Sequence, residues 1–237
     1  MDEHGINDLA GLGTDQLELE LARRRAASQG PLPPQIPAAE KNRKRRSGEE
    51  AATVSYLNDL EVASLMRAVA AGGSVRDVAI FELAFGRGLR ASEVGRLKRE
   101  DVRSDPSGWR MAVPRLKHGN GGEFRLSDRE VKALRAWLRI RGNEPGTLFP
   151  SRNRRPISRF MLDRLMKRYA AAAELPGEKR HFHCLRHSCA TRLLDLGEDV
   201  VDVQDHLGHK DIRNTMIYAR VTSKRRRAKD ERLRDKW

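Results

Sequence analysis

Side chains that could attack a phosphodiester are concentrated in the stretch from His183 to Tyr218. The stretch opens with H-C-L-R-H, reads L-G-H at 207–209 and closes with I-Y-A at 217–219. The guanidinium of Arg186 can offer two parallel N–H groups to two phosphate oxygens, which an ammonium cannot do. A tyrosine hydroxyl becomes a nucleophile once a base and a cationic surround activate it. We therefore predict a site that grips a phosphodiester and attacks it with a phenol.

The same stretch also allows a metal-binding interpretation. His183 and His187 are four residues apart and share a helical face, and Cys184 and His181 lie nearby in the sequence. No carboxylate or third ligand falls at helical spacing from the pair, which disfavours a metal site. His187 is instead interpreted as a hydrogen-bonded core histidine, and no metal or other cofactor is expected.

The spacing of His209 and Tyr218 predicts a break between two helices. On one continuous helix, nine residues turn through about 900°, which would point the two side chains to opposite sides. Gly208 is a natural helix terminator, and Asp211 can cap a new helix. We therefore predict a break from Gly208 to Asp211. Considered alone, Tyr218 is more typical of a half-buried core residue.

The composition favours a polyanionic partner. The chain has 237 residues, a formal net charge of +14 and a pI near 10.4. Each phosphate that a basic surface neutralises releases condensed counterions, so this excess favours binding to nucleic acid. A ribosomal protein or a merely soluble basic protein is the alternative at this level.

Cysteine spacing and hydropathy bear on the compartment. Cys184 and Cys189 lie about 140° apart around a helix, which suits neither a disulfide nor a zinc knuckle. No apolar run approaches the roughly 18 residues that span a membrane, and the N-terminus lacks a signal-peptide core. We expect a cytoplasmic protein with no membrane partner.

Three segments differ in composition. Residues 1–51 contain a proline-rich cluster and a cationic run, and are predicted to be a largely disordered basic arm that either contacts DNA or is a solvated linker. The cations of that run are Lys41, Arg43, Lys44, Arg45 and Arg46. Residues 52–221 have the periodicity of a folded domain, whereas 222–237 form a charged tail, helical only if something supports it.

The domain at 52–221 is predicted to be mainly α with one small antiparallel sheet, an α+β fold. Strands at 109–116 and 123–126 are expected to form a β-hairpin around a glycine-rich turn. The helices are predicted at about 58–71, 75–85, 91–97, 128–141, 158–173, 184–196, 199–207 and 211–220.

Two upstream elements complete a pattern that resembles one family. The sequence G-L-R-A-S-E-V-G-R-L places Arg90 and Glu93 in an arginine box, and Lys117 opens the predicted hairpin turn. With the C-terminal motifs, these elements resemble the tyrosine recombinases, the phage integrase family, over about residues 52–221. The chain is similar to the minimal members of that family, such as the small fimbrial DNA invertases.

The resemblance implies a catalytic set made up of Arg90, Lys117, His183, Arg186, His209 and Tyr218. The two arginines would clamp the non-bridging phosphate oxygens, and His209 would donate a further hydrogen bond. His183 would be the general base for Tyr218, and the lysine would protonate the departing 5′ oxygen. The resemblance further implies double-stranded DNA as the substrate, a 3′-phosphotyrosine intermediate and a homotetramer on paired sites, without metal or nucleotide.

Some features leave alternatives open. Most relatives carry a sizeable N-terminal core-binding domain, whereas residues 1–51 are all that precede the predicted domain, so the basic arm or an accessory DNA-binding protein would compensate. The charged tail is expected to dock on a neighbouring protomer. A topoisomerase-like enzyme or a telomere resolvase would share the same chemistry. A non-catalytic DNA-binding regulator on the same fold is the other alternative, although it would be expected to lack one of the catalytic residues and none is missing here. Arg87 has no role that the sequence explains, and Glu93 is interpreted as structural.

Overall fold

The computed structural model describes residues 54–114 and 122–234, and within these ranges the chain is mainly α with one small sheet. The α-helices are α1 Asp59–Ala71, α2 Val75–Gly86, α3 Ala91–Arg96, α4 Asp128–Arg141, α5 Arg159–Ala172, α6 His183–Asp195, α7 Val200–Leu207 and α8 Arg213–Arg234. The strands are β1 Val102–Asp105, β2 Gly108–Ala112 and β3 Glu123–Arg125, and short 3-10 helices cover Arg99–Asp101 and Gly177–Lys179. The predicted fold class is confirmed.

The first helix begins where the sequence predicts it, at a capping box. Asn58 Oδ1 accepts the backbone N–H of Glu61 at 2.9 Å, and the Glu61 carboxylate accepts the backbone N–H of Asn58 at 2.8 Å. These bonds satisfy N–H groups that a helix N-terminus leaves without partners. The inner face of α1 is the predicted apolar stripe, Val62, Leu65, Met66 and Val69.

Helix α2 lies at the centre of the core and leads into the arginine box. It packs against α1, α4 and α6. Its buried side chains include Ile80, Phe81 and Leu83, each at 0% exposure, so the helix is fixed on several sides. Because α2 ends at Gly86, the chain enters the turn before Arg90 from a rigid support.

The sheet has three antiparallel strands in the order β1-β2-β3. The predicted hairpin is confirmed in its pairing, with Met111 opposite Phe124 and Ala112 opposite Glu123. Strand β1 was not predicted, because Val102 is its only buried residue and the three residues that follow are all exposed, so the strand shows no alternation. The turn that follows β1 is closed by Asp105, whose carboxylate accepts the backbone N–H of Ser107 at 2.7 Å.

The C-terminal helices show the predicted break. Gly208 caps α7 in the left-handed conformation, with φ 62°. Asp211 accepts the backbone N–H of Arg213 at 2.9 Å, at the point where α8 begins. The prediction that the last helix ends at 220 is wrong, because α8 continues to Arg234. Opposite charges at helical spacing, such as Glu231 and Arg234 at 4.0 Å, support that extension.

The buried apolar side chains form two clusters. The larger one involves α1 to α6, and the smaller one lies around α6, α7 and α8. Tyr218 belongs to the smaller cluster, where it packs with Leu194, Val203 and Leu207. The phenol ring is therefore both a core side chain and a candidate nucleophile.

Candidate active site

The arginine box is fixed by a glutamate one turn along the chain. Arg90 is the N-cap of α3, and its Nη1 donates to Glu93 Oε1 at 2.7 Å while its backbone N–H donates to Oε2 at 2.8 Å. The Glu93 side chain is 1% exposed, whereas that of Arg90 is 35% exposed. The structural interpretation of Glu93 is confirmed, because the buried carboxylate orients a guanidinium that stays open to solvent.

Arg186 is buried completely and joins two segments of backbone. Its Nη1 donates to the carbonyl of Gly88 at 2.6 Å, and its Nη2 donates to the carbonyl of Leu207 at 2.8 Å. Glu93 Oε2 lies 3.8 Å from Nη1 and partly balances the charge. Gly88 has φ 56°, and a Cβ there would lie 2.4 Å from the Leu207 side chain, so only glycine fits. The turn before Arg90 and the end of α7 are thus held together.

His209 is positioned by the helix break. Gln204 donates to the carbonyl of His209 at 3.0 Å, which fixes the backbone just after Gly208. The His209 Nδ1 lies 2.8 Å from Thr215 Oγ1, and its ring stacks on that of Tyr218 with centroids 6.3 Å apart. The break therefore brings His209 and Tyr218 together, as the spacing predicts. Thr215, which is fully buried, was not singled out from the sequence.

The Tyr218 hydroxyl bonds to a histidine that the sequence did not connect with it. Its Oη lies 2.8 Å from His187 Nδ1. Tyr218 is 2% exposed, and this burial raises the pKa of its phenol to about 12, although Arg186 and Arg90 act to lower it. The interpretation of His187 as hydrogen-bonded is confirmed, but its partner is the candidate nucleophile. His187 and Tyr218 are 31 residues apart in the sequence and lie on different helices, so no local pattern indicates that they pair.

His183 and His187 share one face of α6, and their rings meet edge to face with centroids 4.4 Å apart. Crowding by protein atoms, with the charges of Arg186, His181 and Arg90, lowers the pKa of His183 to about 4, although the residue opens to solvent. Burial, with a contribution from His183, lowers the pKa of His187 to about 3. Both imidazoles are therefore neutral near pH 7, where they can accept protons.

An open cleft of about 810 Å³ runs from the arginine box along α5. Arg90 and His183 form one part of its lining. Its other cations project from α5, namely Arg159, Arg164 and Lys167. Asp163, the one carboxylate in the lining, accepts the backbone N–H of Phe182 at 3.0 Å. The cleft is thus strongly basic. The α5 cations were not predicted as site residues, because exposed cations on a helix are also typical of an ordinary solvated face.

Arg87 has a structural role that the sequence did not reveal. Its Nε and Nη2 donate to the two carboxylate oxygens of Glu130 at 2.7 and 2.5 Å. Glu130 is 2% exposed and also accepts the backbone N–H of Ser127, at the start of α4. The Arg87 guanidinium lies 5.9 Å from the centre of the Phe124 ring. Arg87 therefore ties the turn before Arg90 to β3 and α4.

Several predictions fall outside the described residues. Lys117 and the arm residues Lys41, Arg43, Lys44, Arg45 and Arg46 are among them, so their roles stay predictions. Cys184 and Cys189 are both buried, and neither forms a disulfide. Within 54–114 and 122–234, no helix is long and apolar enough to cross a membrane. Over the same ranges, no three His, Cys, Asp or Glu side chains are grouped as a metal site would require.

Comparison with known proteins places these features in context. The sequence model of the phage integrase family matches residues 55–225. The type 1 fimbriae regulatory protein FimB of Escherichia coli K12 is 36% identical over 169 residues, which cover 69% of this chain and 83% of FimB. The tyrosine recombinase XerC of Erythrobacter litoralis is 38% identical over 154 residues, covering 64% of this chain and 48% of XerC.

A solved structure extends the similarity to the fold. The crystal structure of the XerA recombinase superposes with a TM-score of 0.61 and 29% sequence identity, over 69% of this chain and 59% of XerA. The chain therefore spans most of FimB, but only about half of XerC and somewhat more of XerA.

Proposed function

The chain belongs to the phage integrase family of tyrosine recombinases, and we propose that it recombines DNA through a transient covalent bond between Tyr218 and a 3′ phosphate. One observation carries this proposal. Arg90 and Arg186 share the Glu93 carboxylate, and Arg186 also bonds to the carbonyl of Leu207, at the end of α7. The break that follows α7 brings the ring of His209 against that of Tyr218, so contacts join four residues from separate elements, of which Arg90 lines the basic cleft.

The proposed reaction is a displacement at phosphorus. The Tyr218 Oη–P bond forms, the P–O5′ bond breaks, and the phenol proton passes to His183. Lys117 gives a proton to the departing 5′ oxygen. A 5′ hydroxyl reverses these steps to rejoin the strand, with His183 returning the proton to the phenol. Since the phosphotyrosine bond keeps the energy of the original diester, rejoining needs no nucleotide cofactor, and we propose no metal.

Arg90 and Arg186 are proposed to act on the negative charge that develops on the non-bridging phosphate oxygens. Arg90 is held at the mouth of the cleft by Glu93, so it can meet a phosphate oxygen without losing its support. Arg186 approaches the same Glu93 carboxylate, with Nη1 3.8 Å from Oε2, and its complete burial strengthens its electric field. We propose that both stabilise the transition state, with His209 donating a further hydrogen bond.

The protonation states favour chemistry that depends on bound phosphate. With the pKa of Tyr218 at about 12 and that of His183 at about 4, the phenol is a weak acid beside a weak base. The negative charge of a phosphodiester at Arg90 would favour the protonated form of His183, raising its pKa. Substrate binding would thus reduce the difference between the pKa of His183 and that of Tyr218.

The DNA path is proposed to follow the cleft. Arg159, Arg164 and Lys167 are all exposed and project from the outer face of α5, opposite its buried side chains. A row of cations that continues from Arg90 suits the regular phosphates of a DNA backbone. The basic run at 41–46 is proposed to add contacts outside this cleft.

The outcome of strand exchange depends on how many sites are engaged. We propose a homotetramer on two paired sites of double-stranded DNA, assisted where needed by an accessory DNA-binding protein. The test uses supercoiled plasmids that carry one or two copies of a site recovered by covalent capture from a DNA library. Recombined products from the two-site plasmid alone are expected. Relaxation of the one-site plasmid without recombination would instead favour a topoisomerase-like activity, and binding without strand breakage a regulator.

A further inference from the structure

His209 is fixed through both its backbone and its ring. Its backbone N–H donates to the carbonyl of Gln204 at 3.0 Å, and the Gln204 side chain donates to the carbonyl of His209 at 3.0 Å. The imidazole lies nearly parallel to the Tyr218 ring, with an angle of 8° between the two planes. These contacts set the place of the ring, but they do not decide which of its two nitrogens carries the hydrogen.

The hydroxyl of Thr215 contacts one of those nitrogens. Thr215 is 0% exposed, and its Oγ1 lies 2.8 Å from His209 Nδ1. Because α8 begins at Arg213, no carbonyl of the same helix lies four residues before Thr215. Thr191, in the middle of α6, shows the contrast, since its hydroxyl donates to the carbonyl of His187 at 3.0 Å. The place of Thr215 in the first turn of α8 thus leaves its hydroxyl for the imidazole.

The number of available acceptors decides the direction of this hydrogen bond. A neutral imidazole has one N–H, and its other nitrogen accepts. Within 54–114 and 122–234, His209 Nδ1 is the one hydrogen-bond partner of the Thr215 hydroxyl. If Nδ1 carried the hydrogen and donated, the buried hydroxyl hydrogen would have no acceptor among those residues, which disfavours that tautomer roughly 5- to 100-fold. The hydroxyl is therefore expected to donate and Nδ1 to accept.

The resulting tautomer is the one that contact with a phosphate would use. With Nδ1 as the acceptor, the hydrogen of the imidazole is on Nε2. His209 is half-buried, whereas Thr215 is completely buried, so the threonine occupies the inner side of the ring. A hydroxyl that donates to one ring nitrogen also polarises the ring, which makes the N–H of the other nitrogen a stronger donor. Donation to a non-bridging phosphate oxygen needs such an N–H.

We propose that Thr215 is a positioning residue, whose buried hydroxyl donates to His209 Nδ1 and so keeps the imidazole in the tautomer that offers an Nε2–H to the phosphate. The proposal rests on the proposed function, in which His209 donates a hydrogen bond to a non-bridging oxygen. No proton is transferred between Thr215 and His209. The hydroxyl acts through the imidazole alone and contacts neither the substrate nor the reacting atoms.

The first measurement is the ¹⁵N NMR spectrum of the histidine-labelled protein without DNA, at mildly alkaline pH. The chain has 7 histidines, so the signals of His209 are identified by their loss in His209→Ala. The wild type is expected to carry the hydrogen on Nε2, with Nδ1 as a hydrogen-bonded acceptor. In Thr215→Val the Nδ1 signal should move toward that of a nitrogen without a hydrogen bond, and Thr215→Ser should restore it. A wild-type hydrogen on Nδ1, or on both nitrogens, would overturn the proposal.

The second measurement is the rate of covalent adduct formation on a nicked suicide substrate. Thr215→Val is expected to react roughly three- to tenfold more slowly than the wild type, the range that loss of one hydrogen bond supports, and Thr215→Ser should restore the rate. The matched control is Thr222→Val. Thr222 also lies on α8 and is 3% exposed, but its hydroxyl has no hydrogen-bond partner in the part of the chain that the structure describes. Equal slowing in the two valine variants, or none in Thr215→Val, would contradict the proposal.

A double-mutant cycle tests whether Thr215 acts through His209. The rate of Thr215→Val is compared with that of the wild type, and the rate of the double variant with that of His209→Ala. Since His209→Ala removes the imidazole that the hydroxyl positions, Thr215→Val should cause no further slowing in that background. The same three- to tenfold slowing in both backgrounds would refute the proposal, because Thr215 would then support the fold rather than His209.

The remaining outcomes are distinguishable. If circular dichroism shows that Thr215→Val is unfolded, Thr215→Ala replaces it in every comparison. If His209→Ala forms no measurable adduct, the ¹⁵N spectra of the wild type and the Thr215 variants decide. If the wild type forms no adduct on a cognate site, the proposed function fails. The spectra of the protein without DNA then still decide whether the Thr215 hydroxyl sets the tautomer of His209.

Discussion

Removing the three α5 cations that line the cleft should change the salt dependence of DNA binding by a calculable amount. The variant is Arg159→Gln, Arg164→Gln and Lys167→Gln together. Each phosphate contact contributes about 0.9 to the slope of log K against log salt concentration, so three contacts contribute about 2.7. Over a rise from about 50 to about 200 mM salt, the wild type should lose about 40-fold more affinity than the variant.

The matched control removes the same charge from another exposed surface. Lys132→Gln, Arg135→Gln and Arg139→Gln lie on α4, are exposed, and do not line the cleft. Both triple variants lower the net charge equally, so a general field effect would change both slopes alike. Fluorescence anisotropy with a labelled random duplex, measured at several salt concentrations, gives the three slopes, and circular dichroism verifies folding. Equal slopes for the two variants would refute the proposed DNA path.

Three other predictions follow from the contacts of the site and from the sequence. Glu93→Gln is expected to lower the free energy of unfolding by about 3 kcal/mol, because it leaves Arg186 buried without its carboxylate; a loss below about 1 kcal/mol in urea titrations would contradict this. The lowered pKa values of His183 and His187, about 4 and about 3, mean that below about pH 6.5 the unfolded chain binds protons that the folded chain does not. The free energy of unfolding should therefore fall as pH decreases from about 6.5 toward 4, and it should fall less in His187→Leu than in the wild type. Thermal unfolding measured across this pH range checks it, and parallel profiles for the two proteins would contradict the prediction. Replacing the arm cations by glutamine should flatten the salt dependence of DNA binding, and an unchanged slope would identify them as linker residues. The residues replaced are Lys41, Arg43, Lys44, Arg45 and Arg46.

Much of the fold follows from local sequence signals, because those signals are strong here. The capping box at Asn58 and Glu61 and the left-handed Gly208 mark helix ends through backbone geometry, which depends little on distant residues. Strand β1 lacks such a signal. With Val102 as its one buried side chain, only pairing with β2 makes it a strand. The extension of α8 likewise depends on charge pairing that periodicity does not measure.

The sequence allowed a set of candidate site residues to be named, but not the contacts between them. The resemblance to the family identified Arg90, the H-x-x-R motif pointed to Arg186, and the spacing of His209 and Tyr218 required the break that brings their rings together. Spacing along the chain does not show which residues of different helices contact each other. It therefore could not predict the hydrogen bond between the Tyr218 hydroxyl and His187. The same limit applies to Arg87, whose partner Glu130 lies on α4. Burial also shifts pKa values in a way that residue types alone do not indicate. It lowers the pKa of His187 from its ordinary value near 6.5 and raises that of Tyr218 from its ordinary value near 10.

The central claim is that Tyr218 forms the covalent link to DNA, and the most direct measurement is adduct formation on a nicked suicide substrate that carries a cognate site. The wild type is expected to yield a protein–DNA adduct that resists denaturant, and mass spectrometry should locate the DNA on the peptide containing Tyr218. Tyr218→Phe should bind the same DNA and form no adduct. An adduct formed by Tyr218→Phe, or none formed by the wild type on any cognate site, would contradict the assignment.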